Sequence, residues 1–230
     1  MCERIELHAG VREISRHFGR LQISARDLPD DDELAPGEPL LIISSGGDGA
    51  RASNARWGLV GHFLDQSPRS PLLHLRGETL AATPFYNRLL RRKRCLIPAT
   101  AFMSWQSDGE GQRRKLRIAE RDGELLLLAA IFDHHPHAGS TCAVLTAPAI
   151  GLAHGLQPRL PLLLQGEAAA FWLAEHAEFP EDEFATLLQP TEWPSLLGEY
   201  LPEPEPSPQL CFDFALTRSS APAQRWQPGQ

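Results

Sequence analysis

Short apolar runs closed by glycine, proline or polar clusters recur along this chain, the pattern of many short strands rather than long amphipathic helices. Residues 40–45 (LLIISS) run into Gly46, Gly47 and Gly49, which predicts a buried strand and a turn. Residues 56–60 predict a second strand, and 95–98 and 101–105 a further pair. Residues 124–132 (ELLLLAAIF) are continuously apolar, with 140–145 as the expected neighbour, and 160–164 (LPLLL) make another strand. Thr83 before Pro84 predicts a helix over 84–92, with Thr83 as N-cap and Pro84 at its first position. Helical patterns also cover 148–156, 168–174 and 183–188; a polar turn covers 106–111, and 114–118 alternates basic with apolar residues. The class expected is α+β, a single domain dominated by short strands with a few helices.

Towards the C-terminus, residues 202–208 (PEPEPSP) must be extended, because alternating prolines forbid a helix. Residues 210–216 suggest a last strand. The expected domain is 1–218, followed by a loose tail over 219–230.

Composition changes this picture little: 42% hydrophobic and 22% charged residues are ordinary for a soluble globular chain. No apolar run approaches the roughly 20 residues that span a bilayer. The opening residues carry acids and no apolar core segment, so no secretory leader is expected. Cys2, Cys95, Cys142 and Cys211 show neither CxxC nor zinc spacing, and a reduced, cytoplasmic protein without metal or cofactor is expected. Charge adds more. The net charge of −7 argues against non-specific coating of nucleic acid, yet nine of the 22 Lys and Arg residues stand between Arg88 and Arg117. No Lys or Arg occurs from Gln165 to Phe214. Either the molecule has one basic and one acidic face, or the basic run lines a groove for phosphates.

Generic motifs are absent: no P-loop, no GxGxxG after a strand, no HExxH and no GxSxG. His134, His135 and His137 follow an apolar strand with Pro136 and Gly139 around them, which reads as a solvated turn rather than a metal cluster. Trp57, beside Arg56, is the better candidate for base stacking, and Trp105 the better candidate for the core.

A set of ordered segments says more. Cys2-x-Arg4 opens the chain, followed by Arg56-Trp57-Gly58-Leu59 and Arg76-Gly77-Glu78-Thr79. Then come Pro84-Phe85, Arg94-Cys95-Leu96-Ile97-Pro98-Ala99, Phe102-x-x-Trp105, Thr146-x-Pro148-Ala149 and Arg159-Leu160-Pro161-Leu162-Leu163-Leu164. In this order and spacing the chain resembles the SOS-response-associated peptidase, or abasic-site processing, family from Cys2 to about Leu164, with a looser match at Phe171-Trp172-Leu173.

The resemblance implies a partly barrel-like fold and recognition of abasic sites in single-stranded DNA. It also implies that Cys2, once Met1 is removed, supplies an α-amine and a thiol. The amine condenses with the ring-opened sugar aldehyde and the thiol closes the imine to a thiazolidine, which is why both groups must sit on one terminal residue. Arg76 and Arg159 align with the family's DNA contacts, and Arg4, Trp57 and Glu78 are further candidate DNA-binding residues. Three catalytic positions depart from the family: His74 stands at its Asn, Ser104 at its acid–base Glu and Gln157 at its His. A serine cannot shuttle protons near neutral pH as a carboxylate does, and Gln only hydrogen-bonds. His154, three residues before Gln157, is a candidate stand-in, as are the carboxylates of Glu3 and Glu78. Each residue has a structural reading too: Cys2 as a small buried hydrophobe, Arg76 and Arg159 as ion-pair partners, Arg76 for instance with Glu78 or Glu3. Three functions stay open: a crosslinker of abasic DNA, a non-catalytic single-strand-binding or damage-sensing module, and a thiol autoprotease.

Overall fold

The computed structural model describes residues 2–65, 68–107, 113–176, 180–189, 193 and 195–202, with 107 and 152–154 described by backbone alone. Its larger sheet has the order β12 (Arg159–Pro161), β11 (Gly139–Pro148), β10 (Leu126–His135), β7 (Arg94–Ala99), β4 (Pro39–Ser45), β5 (Ala50–Trp57) and β2 (Leu21–Gln22), while β6 (His74–Arg76) runs parallel to β11. β5 also pairs with β11 at Thr141↔Arg56 and Cys142↔Trp57, which closes five strands into a ring. The partly barrel-like α+β fold is therefore present. A second sheet has the order β13 (Leu196–Tyr200), β9 (Arg113–Glu120), β8 (Ala101–Ser107), β1 (Arg4–Glu6) and β3 (Glu33–Leu34).

Strand alternation sorts the apolar runs into two cores. Leu126, Leu128 and Ala130 of β10 join Ile97 of β7 and Val144 of β11 in one cluster, to which the second sheet adds Ile5, Phe102, Leu116 and Ile118. The intervening Leu127, Ala129 and Ile131 face Leu89, Leu90, Trp172 and Phe184 of the helices outside. Because β7 and most of β10 are covered on both faces, their sequences read as continuous apolar runs. The helices are α1 (Val11–Ser15), α2 (Pro84–Arg92), α3 (Gly151–Leu156), α4 (Gly166–Leu173) and α5 (Glu181–Leu187).

Several boundaries differ from the sequence reading. β5 runs from Ala50 to Trp57 rather than over 56–60; its buried positions are Ala52, Ala55 and Trp57, and alanines give a weak apolar signal. β10 continues through His134 and His135, so only Pro136–Ala138 turn, and His135 is fully buried rather than solvated. Its Nδ1 accepts from the backbone N–H of His137 and Ala138 while Nε2 donates to the Leu64 carbonyl at 2.7 Å. Thr83 stands at the N-cap, but its side chain makes no capping bond. The turn expected at 106–111 starts later, since β8 includes Gln106 and residue 107, and 108–112 lie outside the described residues. The strand and tail expected beyond 203 also lie outside them. No helix among the described residues is long and apolar enough to cross a membrane.

Candidate active site

Cys2 is held where β1 meets β8. The Glu3 N–H donates to the Met103 carbonyl at 2.7 Å, and Arg4 pairs with Met103, which brings the N-terminal residues alongside Ser104 and Trp105. Cys2 is completely buried, with its thiol 3.4 Å from the Arg4 carbonyl. Burial pushes the thiol well above the usual range, while the positive amino terminus and the Arg4 carbonyl oppose the shift in part.

Ser104, on the same face of β8 as Phe102, is fully buried, and Gln157, at the end of α3, donates from Nε2 to its hydroxyl. Gln106, next on that face, donates to the Leu156 carbonyl and so ties β8 to the same helix end. His74, opening β6, lies edge-on to Trp57 with ring centroids 5.8 Å apart, and its ring hydrogen-bonds to the Cys2 backbone. Burial, reinforced by the positive amino terminus, lowers its pKa to about 4. Its Nε2 has no hydrogen-bond partner, which leaves Nδ1–H as the donor to the Cys2 carbonyl and Nε2 as a free acceptor. Beyond it, Arg159 makes a bidentate pair with Glu78 (2.8 and 2.9 Å) and donates to the Thr146 carbonyl. The hydrogen bonds from Arg159 hold the Glu78 carboxyl low, against an opposing effect of burial. Arg76 is exposed and Glu78 is taken by Arg159, so the expected Arg76–Glu78 pair does not form; Glu3 instead lies 3.7 Å from Arg113. His74 Nε2, Gln157 Oε1 and Arg159 Nε are buried and have no protein partner among the described residues, which leaves each able to bond a catalytic proton, a water or a ligand.

Cys2, His74, Ser104 and Gln157 thus converge, with Arg159, Glu78 and Arg76 along the same strand edge. Two expected DNA-binding residues do not join them. Arg4 projects from the opposite face of the sheet to Ile5 and lies 3.6 Å from Glu33. Trp57 is fully buried and donates its indole N–H to the Leu73 carbonyl, so its ring is closed to a base. The aromatic roles invert: Trp105, expected in the core, is only partly buried, with Lys115 over its ring at 5.6 Å. His154 belongs to α3, but its side chain falls outside the described residues.

Sequence reasoning missed Phe63, the most exposed large hydrophobic among the described residues at 60%. It packs edge-on against Phe85 at 4.9 Å. Beside it, His62 donates Nδ1–H to Asp133 at 2.8 Å and accepts from Arg88 at Nε2 at 3.0 Å. The pairing of residue 62 with residue 133 was invisible without the fold. The basic run is also not one row: Arg94 is buried, Arg91 bonds Glu181, and Lys115 and Arg117 pair with Glu33 and Glu6 in the second sheet. Among the described residues no cluster of His, Cys, Asp and Glu is placed to hold a metal ion.

With this geometry in place, the SOS response associated peptidase (SRAP) profile matches residues 1–197. The chain belongs to this family. It is 28% identical over 200 residues to the abasic site processing protein YoqW of Bacillus subtilis, covering 83% of this chain and 87% of that protein. The abasic site processing protein HMCES of Gallus gallus is 30% identical over 165 residues, covering 60% of this chain and 49% of that protein. A crystal structure of a Bacteroides thetaiotaomicron protein superposes with a TM-score of 0.74 at 19% identity, covering 88% of this chain and 93% of that one, and shares its fold.

His74 gives this SRAP seam a pH signature. Its folded pKa is depressed, so the stability it contributes is full above about 6.5 and is lost as pH falls toward 4. Between pH 7 and 5 the loss is about 2 kcal/mol. Denaturant titrations at both pH values should show it, and His74→Asn should abolish most of the difference. An unaltered pH dependence in that variant would mean that His74 titrates normally.

Proposed function

We propose that this chain recognises abasic sites in single-stranded DNA, and that Cys2, freed of Met1, captures the sugar aldehyde. The relatives' names supply the substrate class. The observation that carries the chemistry is the convergence on Cys2 of a neutral His74 with a free Nε2 and the Ser104–Gln157 pair. Attack of the Cys2 amine on the aldehyde and loss of water give an imine. Addition of the thiol to the imine carbon then closes the thiazolidine, the thiol proton passing to nitrogen. His74 Nε2 and Gln157 Oε1 supply acceptors for the protons in transit; neither is a carboxylate. Arg76 faces a phosphate, and the ion pair with Glu78 presents Arg159 to another. Exposed Phe63, with Arg88 beside it, takes the base-stacking role that buried Trp57 cannot.

One observation favours a binding module without crosslinking. The pair at the family's acid–base positions is uncharged, and the thiol it should serve is buried and protonated. Intact mass of Met1-free protein incubated with single-stranded DNA carrying one abasic site separates the readings. A stable adduct is expected, absent with undamaged DNA and in Cys2→Ala. Retained DNA binding with no adduct would leave the binding module.

A further inference from the structure

We propose that a cationic groove behind the Cys2 seam binds the phosphodiester backbone of DNA, an inference that rests on the DNA-binding reading above and extends the contact surface. Two hollows of about 350 and 380 Å³ share Ser45, Leu173 and Glu175, and so form one groove. Its walls are the end of β4, the start of β7, α4 and the turn before β5. Arg92 and Lys93, at the end of α2, line one half, and Arg20 lines the other.

The cations here are available. Arg20 and Arg92 are exposed, and neither side chain has an ion-pair or hydrogen-bond partner among the described residues. Lys93 is exposed and rests its ammonium 5.4 Å from the Phe132 ring, a contact that uses none of its hydrogen-bond donors. Glu175 is the one carboxylate among the lining residues, and it accepts from the Ser45 hydroxyl at 3.1 Å. The neighbouring cations are committed elsewhere, Arg94 to backbone carbonyls and Arg91 to Glu181, so they hold the walls rather than a ligand. In a chain of net charge −7, free cations around a recess lined by Ser44 and by the backbone of Gly19, Gly47, Gly49 and Gly166 suit phosphate oxygens.

The groove is separate from the seam yet within reach of one strand of DNA. Phe132, which lines it, pairs with Cys142, and Arg159 pairs with Pro148. At ~3.3 Å per residue these two points lie about 20 Å apart along β11.

The test is the salt dependence of binding to an undamaged, fluorescently labelled single-stranded oligonucleotide. Arg92→Glu with Lys93→Glu should lower the log–log salt slope by about 1.4, the loss of two single-strand phosphate contacts at roughly 0.7 each. On that slope, with affinities converging at 1 M salt, the Kd at 0.1 M salt should rise about 25-fold. Arg92→Gln with Lys93→Gln should lower the slope equally without adding repulsion. Arg26→Glu with Arg121→Glu, which changes net charge as much as the double reversal, should leave the slope near wild type. An unchanged slope in both groove variants, or a fall matched by this control, overturns the groove alone. A wild-type protein that binds no DNA at any salt overturns the groove together with the reading on which it rests. Thermal melts identical to wild type confirm that these exposed substitutions leave the fold intact.

Discussion

Arg94→Met is expected to destabilise the protein by about 4 kcal/mol, with thermal or denaturant unfolding as the readout. Arg94 looks on paper like one more cation of a phosphate groove, but the residue is only 7% exposed. It donates to the carbonyls of Leu90 and Arg91 at the end of α2, and to those of Trp172 and Ala174 at the end of α4. Helix ends leave their last carbonyls without intrahelical partners, and here one side chain serves two such ends at once. The Phe184 ring lies 5.0 Å from the guanidinium carbon, completing the enclosure. Burial lowers the Arg94 pKa to about 10, with Glu175 opposing, so the group stays charged at neutral pH. Methionine fills the volume and removes every donor, stranding carbonyls that water reaches poorly. Arg94→Lys should recover only part of the loss, because an ammonium cannot reproduce the planar fork. Equal stability of Arg94→Met and wild type would show that solvent satisfies those carbonyls.

How much was legible follows from what each signal depends on. Runs such as LLLLAAIF announce a strand buried on both faces, because that is the environment in which alternation disappears. Thr83-Pro84 marks the start of α2 through local dihedral preferences alone. The family's ordered segments located Cys2, His74, Ser104 and Gln157, and the fold brings these together. What depends on long-range packing was not legible. Nothing in the neighbours of Trp57 or Phe63 tells which ring meets Leu73 and which meets solvent: Trp57 reads as a stacking platform yet is buried, and Phe63 gives no signal at all. Likewise Arg94 and Arg92 stand two residues apart, yet one caps helices and the other is free, because α2 ends at Arg92 and β7 begins at Arg94. The solvated reading failed at His135 alone, for a similar reason: the Leu64 carbonyl that anchors it lies 71 positions away.

Installing the family's pair, Ser104→Glu with Gln157→His, is expected to speed adduct formation by about 100-fold, the lower range for a well-placed general acid–base group. The argument is the contact between Gln157 and Ser104. Positions 104 and 157 form a hydrogen-bonded couple, so on the proposed reading the two departures from the family pattern are one exchange, of an ionisable pair for a neutral one. Either single variant should therefore be worse than the double. Ser104→Glu alone would bury a carboxylate against Gln157 with no cation to meet it. Gln157→His alone would set an imidazole against Ser104 without the acid that orients its ring. Both singles should lose stability by about 1–3 kcal/mol, and much of that should return in the double, a coupling that a thermodynamic cycle measures directly. A charged pair also gives the buried Cys2 thiol a proton acceptor, so the pH–rate profile should differ from that of the wild type, in which only the Cys2 amine and His74 titrate along the proposed path. Single-turnover kinetics on abasic single-stranded DNA decide the matter. A double variant as slow as wild type, yet folded and DNA-binding, would mean that the limiting step is exposure of Cys2 from its buried position rather than proton transfer.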